Sequence, residues 1–204
     1  MHHVAARSIA GERIFKDAGD YTTAIGILAR VVADGLVVCH AFCFMPTHYH
    51  LYGTFPDVSK AIHTLNRRYA VSFNRRYGRR GHVFDSPFSG KPVEHEWQAR
   101  RLARYIALNP ADPEGWSYAS YPGLIGTRPA FSFVDPAPIL ESFGSIGNFR
   151  DFVGEGRRAE DVNPVPGFAR QPGSSVLGRT WFQVFRLRAR PSAWACRSGS
   201  PARS

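Results

Sequence analysis

In three stretches of this chain apolar residues return every three or four positions, and short runs of strand character lie around them. Ile25, Leu28, Ala29 and Val32 fall at helical spacing and predict a helix over 21–33, with Gly35 as its stop. Ile62, Leu65, Tyr69 and Phe73 form the apolar stripe of a longer helix over 57–77, which Gly78-Arg79-Arg80-Gly81 ends. Trp97, Ala99, Leu102, Ala103 and Ile106 supply the packing positions of a third over 96–108. It stops at Asn109-Pro110, because the residue before a proline is biased away from helix. Residues 2–7 and 36–44 have strand character, and Met45-Pro46-Thr47 is a turn, since proline fixes φ and removes a ladder donor. Residues 48–55 alternate as the return strand of a hairpin. Residues 82–93 are broken by glycine and proline and keep strand character at their ends.

The order strand, helix, strand, strand, helix, strand, helix predicts an α+β fold, a ferredoxin-like antiparallel sheet with helices packed on it. Past residue 114 the periodic signals weaken. Residues 116–121 carry ordered-looking aromatics, and 149–160 have the composition of a short helix. The chain therefore divides into a folded domain over 1–125, a weakly structured extension over 126–161 and a basic, disordered tail over 162–204. That tail has seven arginines, no lysine and no acid among much Gly, Pro and Ser.

Hydrophobic residues make up 44% of the 204, enough for a real core. No apolar run approaches the roughly 20 residues that cross a bilayer. The start, Met1-His2-His3-Val4-Ala5-Ala6-Arg7, has no long apolar stretch behind it, so a cytoplasmic protein without membrane contact is expected. Cys39, Cys43 and Cys196 fit no zinc spacing. Cys39 and Cys43 should share one strand face with Ala41 as small buried hydrophobes. The net charge is +10, and its distribution matters more than its size. Residues 60–104 hold eleven Lys or Arg against Asp85, Glu94 and Glu96, a local +8 that favours a polyanion such as nucleic acid.

Candidate chemistry begins with His48 and His50, two residues apart on a strand. Strand side chains alternate, so both imidazoles leave one face and can share a divalent cation, while Tyr49 and Leu51 point into a core. The second part is Tyr105, near the end of the third helix beside Arg100, Arg101 and Arg104. Tyrosine serves as a covalent nucleophile once its proton is removed and its target polarised. Asn109 lies four residues on, on the same side of the helix; it either lends an oxygen to the metal or caps the helix end. Arg67, Arg68, Arg75 and Arg76 fall off the apolar stripe of their helix and should face outward, with Arg79 and Arg80 just beyond.

Phe42-Cys43-Phe44-Met45-Pro46-Thr47-His48-Tyr49-His50-Leu51 resembles the His-hydrophobic-His strand of HUH transposases. Arg104-Tyr105-Ile106-Ala107-Leu108-Asn109-Pro110 looks like the tyrosine helix of the REP-associated branch of single-tyrosine enzymes in the IS200-like family. Leu65-Asn66-Arg67-Arg68-Tyr69 and Phe73-Asn74-Arg75-Arg76-Tyr77-Gly78-Arg79-Arg80-Gly81-His82 resemble the same branch, and the likeness covers roughly residues 1–125. The resemblance implies that His48 and His50, with Asn109, bind Mg²⁺ or Mn²⁺, a Lewis acid toward the scissile phosphate. It implies that Tyr105 attacks to leave a 5′-phosphotyrosine and a free 3′-OH, whose stored energy rejoins the strand. The partner would be single-stranded or hairpin DNA, gripped by Arg67, Arg68, Arg75, Arg76, Arg79, Arg80, Arg100, Arg101 and Arg104 and worked on by a monomer or homodimer.

The sequence departs from that pattern at Asp85 and Pro87, where the family is more basic, and at Ala111-Asp112-Pro113-Glu114, which is acidic and short. These departures motivate an alternative, a hairpin-binding protein of the same fold that no longer cuts. A general nucleic-acid-binding ferredoxin-like domain with incidental histidines is a third reading. No P-loop is present to suggest a helicase-linked initiator.

Overall fold

The computed structural model describes residues 1–85 and 88–159. Strand β1 (His2–Arg7) is followed by helix α1 (Ala18–Ala33), the hairpin β2 (Val38–Met45) and β3 (His48–Thr54), helix α2 (Val58–Tyr77) and strand β4 (Ser89–Pro92). The sheet order is β2-β3-β1-β4, and every recorded pairing among these strands is antiparallel. This is the ferredoxin-like βαββαβ arrangement that the order of elements predicts. Helix α3 (Glu96–Ala107) follows, then α4 (Tyr121–Leu124), α5 (Ala137–Phe143) and α6 (Ile146–Ala159).

Capping chemistry sets the helix starts. Asp17 accepts from the backbone N–H of Asp20, so α1 begins three residues before the apolar periodicity does. Asp57 accepts from Lys60 N–H in the same way at the start of α2. Gly78 ends α2 at φ +61°, a conformation that costs glycine nothing, and its N–H bonds back to Asn74.

The two faces of the sheet bury different helices. Val4, Ala6, Phe42, Phe44, Tyr49 and Leu51 meet α1 and α2 through Leu28, Ile62, Leu65, Tyr69 and Phe73. On the other face Ala41, Cys43 and Tyr52 pack under α3, α5 and α6 through Leu102, Ala103, Ile106, Ile139, Phe143, Phe149 and Val153. The edge of β2 is covered: Phe44 N–H donates to Tyr118 O, Ser120 N–H to Phe42 O, and Asp135 N–H to Cys39 O.

Three expectations need correction. Cys39 and Cys43 do not share a face, because the β2–β3 register shifts between Cys39 and Ala41. That bulge turns Cys39 toward the α1–α2 core and leaves Ala41 and Cys43 toward α3. Both are free, fully buried thiols whose ionisation burial disfavours. Trp97 does not pack inward; it is 45% exposed, stacked on the His95 ring with the Arg101 guanidinium 5.9 Å from it. The expected weak extension over 126–161 instead carries α5 and α6, whose aromatic residues complete the second core. The composition over 149–160 announces part of α6, whereas α5, with 7 residues, is too short to leave a periodic signal. Pro87, Cys196 and the expected tail over 162–204 lie outside the described residues.

Candidate active site

The hairpin turn fixes where β3 begins. Pro46 O accepts the backbone N–H groups of Ile14 and Phe15, and Thr47 O accepts that of Ser8. On the core face Tyr49 is fully buried and its hydroxyl donates to Asn66 Oδ1 at 2.7 Å. With the strand anchored from behind, His48 and His50 leave the opposite face, their ring centroids 5.1 Å apart. His50 is buried, only 3% exposed, and sits across from Ala5 on one side and Cys43 on the other.

Helix α3 brings the tyrosine to the same face. Gln98 Oε1 accepts the N–H of His95 and closes the N-terminus, and Ala99, Leu102, Ala103, Ile106 and Ala107 seat the helix on the sheet. The Tyr105 ring then meets His50 edge-on, with centroids 5.1 Å apart. Asn109 joins helix to strand: its Nδ2 donates to Tyr105 O at 3.2 Å, and its Oδ1 lies 3.3 Å from His48 Nε2. The two roles offered by the sequence are therefore compatible, since Asn109 caps the helix end with its nitrogen and turns its oxygen to the histidine.

The electrostatics keep the imidazoles neutral. Burial, then the charge of Arg7, pushes His48 down to about 4, against an opposing hydrogen bond from Asn109. Burial holds His50 well below its ordinary range, with His3, His48 and Arg7 acting in the same direction. Burial raises the Tyr105 hydroxyl, while the Asn109 hydrogen bond and Arg7 pull it back.

One member was not legible as such: His3, on β1. Its Nε2 is 3.1 Å from His50 Nδ1, the two rings stack at 5.2 Å, and burial and Lys91 lower it to about 4. Its signal was the alternation His3, Ala5, Arg7 on a strand that the topology places beside β3. Arg7 lies across from His48 and Lys91 across from His3.

The predicted arginines divide. Arg67, Arg68, Arg75 and Arg76 ride on α2, on the side of the sheet opposite the histidines. Arg68 pairs with Asp34, Arg76 with Asp17 and Asp20, and Arg79 with Glu12. Arg67, Arg75 and Arg80 are exposed and have no carboxylate partner among the described residues. On α3, Arg100 lies 4.5 Å from the Phe143 ring centroid and Arg104 4.1 Å from that of Phe152, so both are stacked under α5 and α6. The acidic segment is used internally: Asp112 accepts Gly115 N–H, and Glu114 pairs with Arg150.

A divalent cation would find two neutral imidazoles and an amide oxygen here. His50 Nε2 is buried without a hydrogen-bond partner, a polar atom whose burial a cation would repay. Among the described residues no three His, Cys, Asp or Glu side chains converge as a closed cage. The donor set fits an open site that keeps positions for water or substrate.

No family model and no curated protein matches the chain. A solved structure of a REP-associated tyrosine transposase bound to a REP hairpin is similar at a TM-score of 0.52 and 15% identity, over 65% of this chain and 82% of that one. The likeness shows a shared fold. None of the described helices is long and apolar enough to cross a membrane.

Proposed function

We propose that this chain is a metal-dependent DNA transposase that cuts and rejoins single-stranded hairpin DNA through Tyr105. The observation that carries the reading is the convergence of His48, His50, Asn109 and Tyr105 from β3 and α3 onto one face. Supporting it is the fold shared with a transposase bound to a REP hairpin. His48, His50 and the Asn109 oxygen would hold Mg²⁺ or Mn²⁺, which supplies Lewis-acid polarisation of the scissile phosphate when bound.

The chain's own residues do the rest. The Tyr105 oxygen forms a bond to phosphorus as the bond from phosphorus to the 3′-oxygen breaks, giving a 5′-phosphotyrosine and a 3′-OH. The phenol loses a proton and the leaving oxygen gains one, so the exchange is balanced and reversible without ATP. Asn109 and Arg7 lower the cost of ionising the phenol, against the burial that raises it. Burial of His50 keeps competing solvent from its nitrogen.

A second reading is a hairpin-binding protein that does not cut. It is favoured by the closed contact of His48 with Asn109, which occupies a nitrogen that a metal would need. One assay separates the two. Hairpin-bearing single-stranded DNA from the gene's own flanks is incubated with Mn²⁺ and either wild type or Tyr105→Phe. The enzyme reading expects a covalent protein–DNA band that the substitution abolishes. A folded protein that binds the hairpin and forms no band supports the second reading.

A further inference from the structure

We propose that His3 is a positioning residue for the metal site, holding His50 in the one tautomer that leaves Nε2 bare for a cation. The inference rests on the metal-site reading above. His3 lies diagonal to His50 across the β1–β3 ladder, because His3 faces Tyr52 and Ala5 faces His50. Diagonal neighbours on one sheet face are within reach of long or aromatic side chains. The small Ala5 leaves room for the two rings to meet, and they stack with an interplanar angle of 21° and a nitrogen–nitrogen distance of 3.1 Å.

A hydrogen bond between two neutral imidazoles needs one donor and one acceptor. Two arrangements are possible. If His3 donated, His50 would carry its proton on Nε2, and that N–H would be buried without an acceptor. If His50 donates from Nδ1, its Nε2 keeps a lone pair and His3 Nε2 is the acceptor. The second arrangement avoids an orphaned donor, and it is the tautomer a metal ligand requires. His48 is held differently: its Nε2 faces the Asn109 oxygen at 3.3 Å and its Nδ1 the Thr47 hydroxyl at 3.1 Å.

Two opposite substitutions separate the acceptor from the ring. His3→Phe keeps a flat ring and removes the acceptor. His3→Gln removes the ring and keeps an oxygen near the position of Nε2. Mn²⁺ binding is followed by the loss of the free-ion electron paramagnetic resonance signal, in wild type, both His3 variants and His50→Ala, without DNA. We expect His3→Phe to bind about tenfold or more weakly and His3→Gln to stay within about threefold of wild type. Equal affinity of His3→Phe and wild type, or an equal loss in both His3 variants, overturns the positioning role. Were His50→Ala to bind as tightly as wild type, the metal-site reading would itself fall, and the positioning role with it. A measurement on unmodified protein guards against a variant that does not fold. Nitrogen-15 spectra of metal-free wild type should show His50 protonated on Nδ1, and protonation on Nε2 overturns the proposal.

Discussion

Asn109 Oδ1 lies 3.3 Å from His48 Nε2, and this contact spans the junction between α3 and β3. The same side chain holds the Tyr105 carbonyl through Nδ2, so one residue couples the candidate nucleophile to a candidate ligand. Removing it should harm chemistry more than folding. Asn109→Ala loses hydrogen bonds worth about 1 kcal/mol each, so the melting temperature should fall by only a few degrees. Covalent-adduct formation should fall about 10- to 100-fold, as for other outer or weak ligands. Adduct yield and rate on a hairpin substrate check this, and wild-type rates in Asn109→Ala would remove the residue from the mechanism.

Stability should depend on pH between about 6.5 and 4. His3 and His48 are held down near 4 and His50 well below its ordinary value, chiefly by burial. In the unfolded chain all three return to about 6.5. As pH falls through that window the unfolded chain binds protons that the folded one refuses. The stabilisation is therefore complete above 6.5 and is lost on acidification. In chelator, the unfolding free energy from urea titrations should drop by about 2 kcal/mol or more between pH 7.5 and 5.5, a range in which ordinary carboxylates stay ionised. A flat profile would mean that these rings are more hydrated than the packing indicates.

The arginines of α2 should separate into structural and nucleic-acid-facing sets. Arg76 reaches Asp20, which is nearly fully buried and also accepts from Lys16 N–H and the Tyr77 hydroxyl. Arg76→Met leaves that carboxylate short of its cation and should lower the melting temperature, by less than the loss of a fully buried pair because Arg76 itself is half exposed. Replacing Arg67, Arg75 and Arg80 together by alanine should leave the melting temperature nearly unchanged. It should weaken binding to single-stranded DNA and flatten its salt dependence, if α2 carries phosphate contacts. Fluorescence anisotropy at several salt concentrations, beside thermal melts, tests both halves. An Arg76→Met protein as stable as wild type would refute the structural half.

How far the sequence reached follows from what kind of signal each residue leaves. The βαββαβ order was legible because Ile62, Leu65, Tyr69 and Phe73, and the hairpin around Pro46, carry strong periodic and turn signals. His48 with His50, and Tyr105 with Asn109, were legible because each pair is local, two residues apart on a strand and four on a helix. His3 was not, since its meaning depends on β1 lying beside β3, a contact between residues 47 apart. The bulge after Cys39 leaves no local mark, yet it reverses that residue's face. Arg100 and Arg104 look like free cations on a helix until α5 and α6 place Phe143 and Phe152 against them.

The stretch after residue 125 should prove part of the folding unit. Phe149 of α6 is 2% exposed and packs edge-on to Tyr121 at 5.6 Å and against Phe143 at 5.0 Å. The same cluster includes Ala103, Ile106 and Ala107 of α3, the helix that carries Tyr105. Helix α6 also lies tight on α3 at Gly156, where a Cβ would come within 2.6 Å of Arg104 Cδ and 3.0 Å of Leu108 Cδ1. Phe149→Ala removes a ring from a closed apolar cluster, which costs about 3–5 kcal/mol where the site cannot collapse. A single cooperative melt shifted down by ten degrees or more is expected, as is the loss of covalent-adduct formation at temperatures where wild type still works. If residues beyond 125 were an appendage, the same substitution would leave both the melt and Tyr105 untouched. Circular dichroism on the full chain, wild type against Phe149→Ala, decides between them, because only a shared core can carry a change in α6 to the tyrosine on α3.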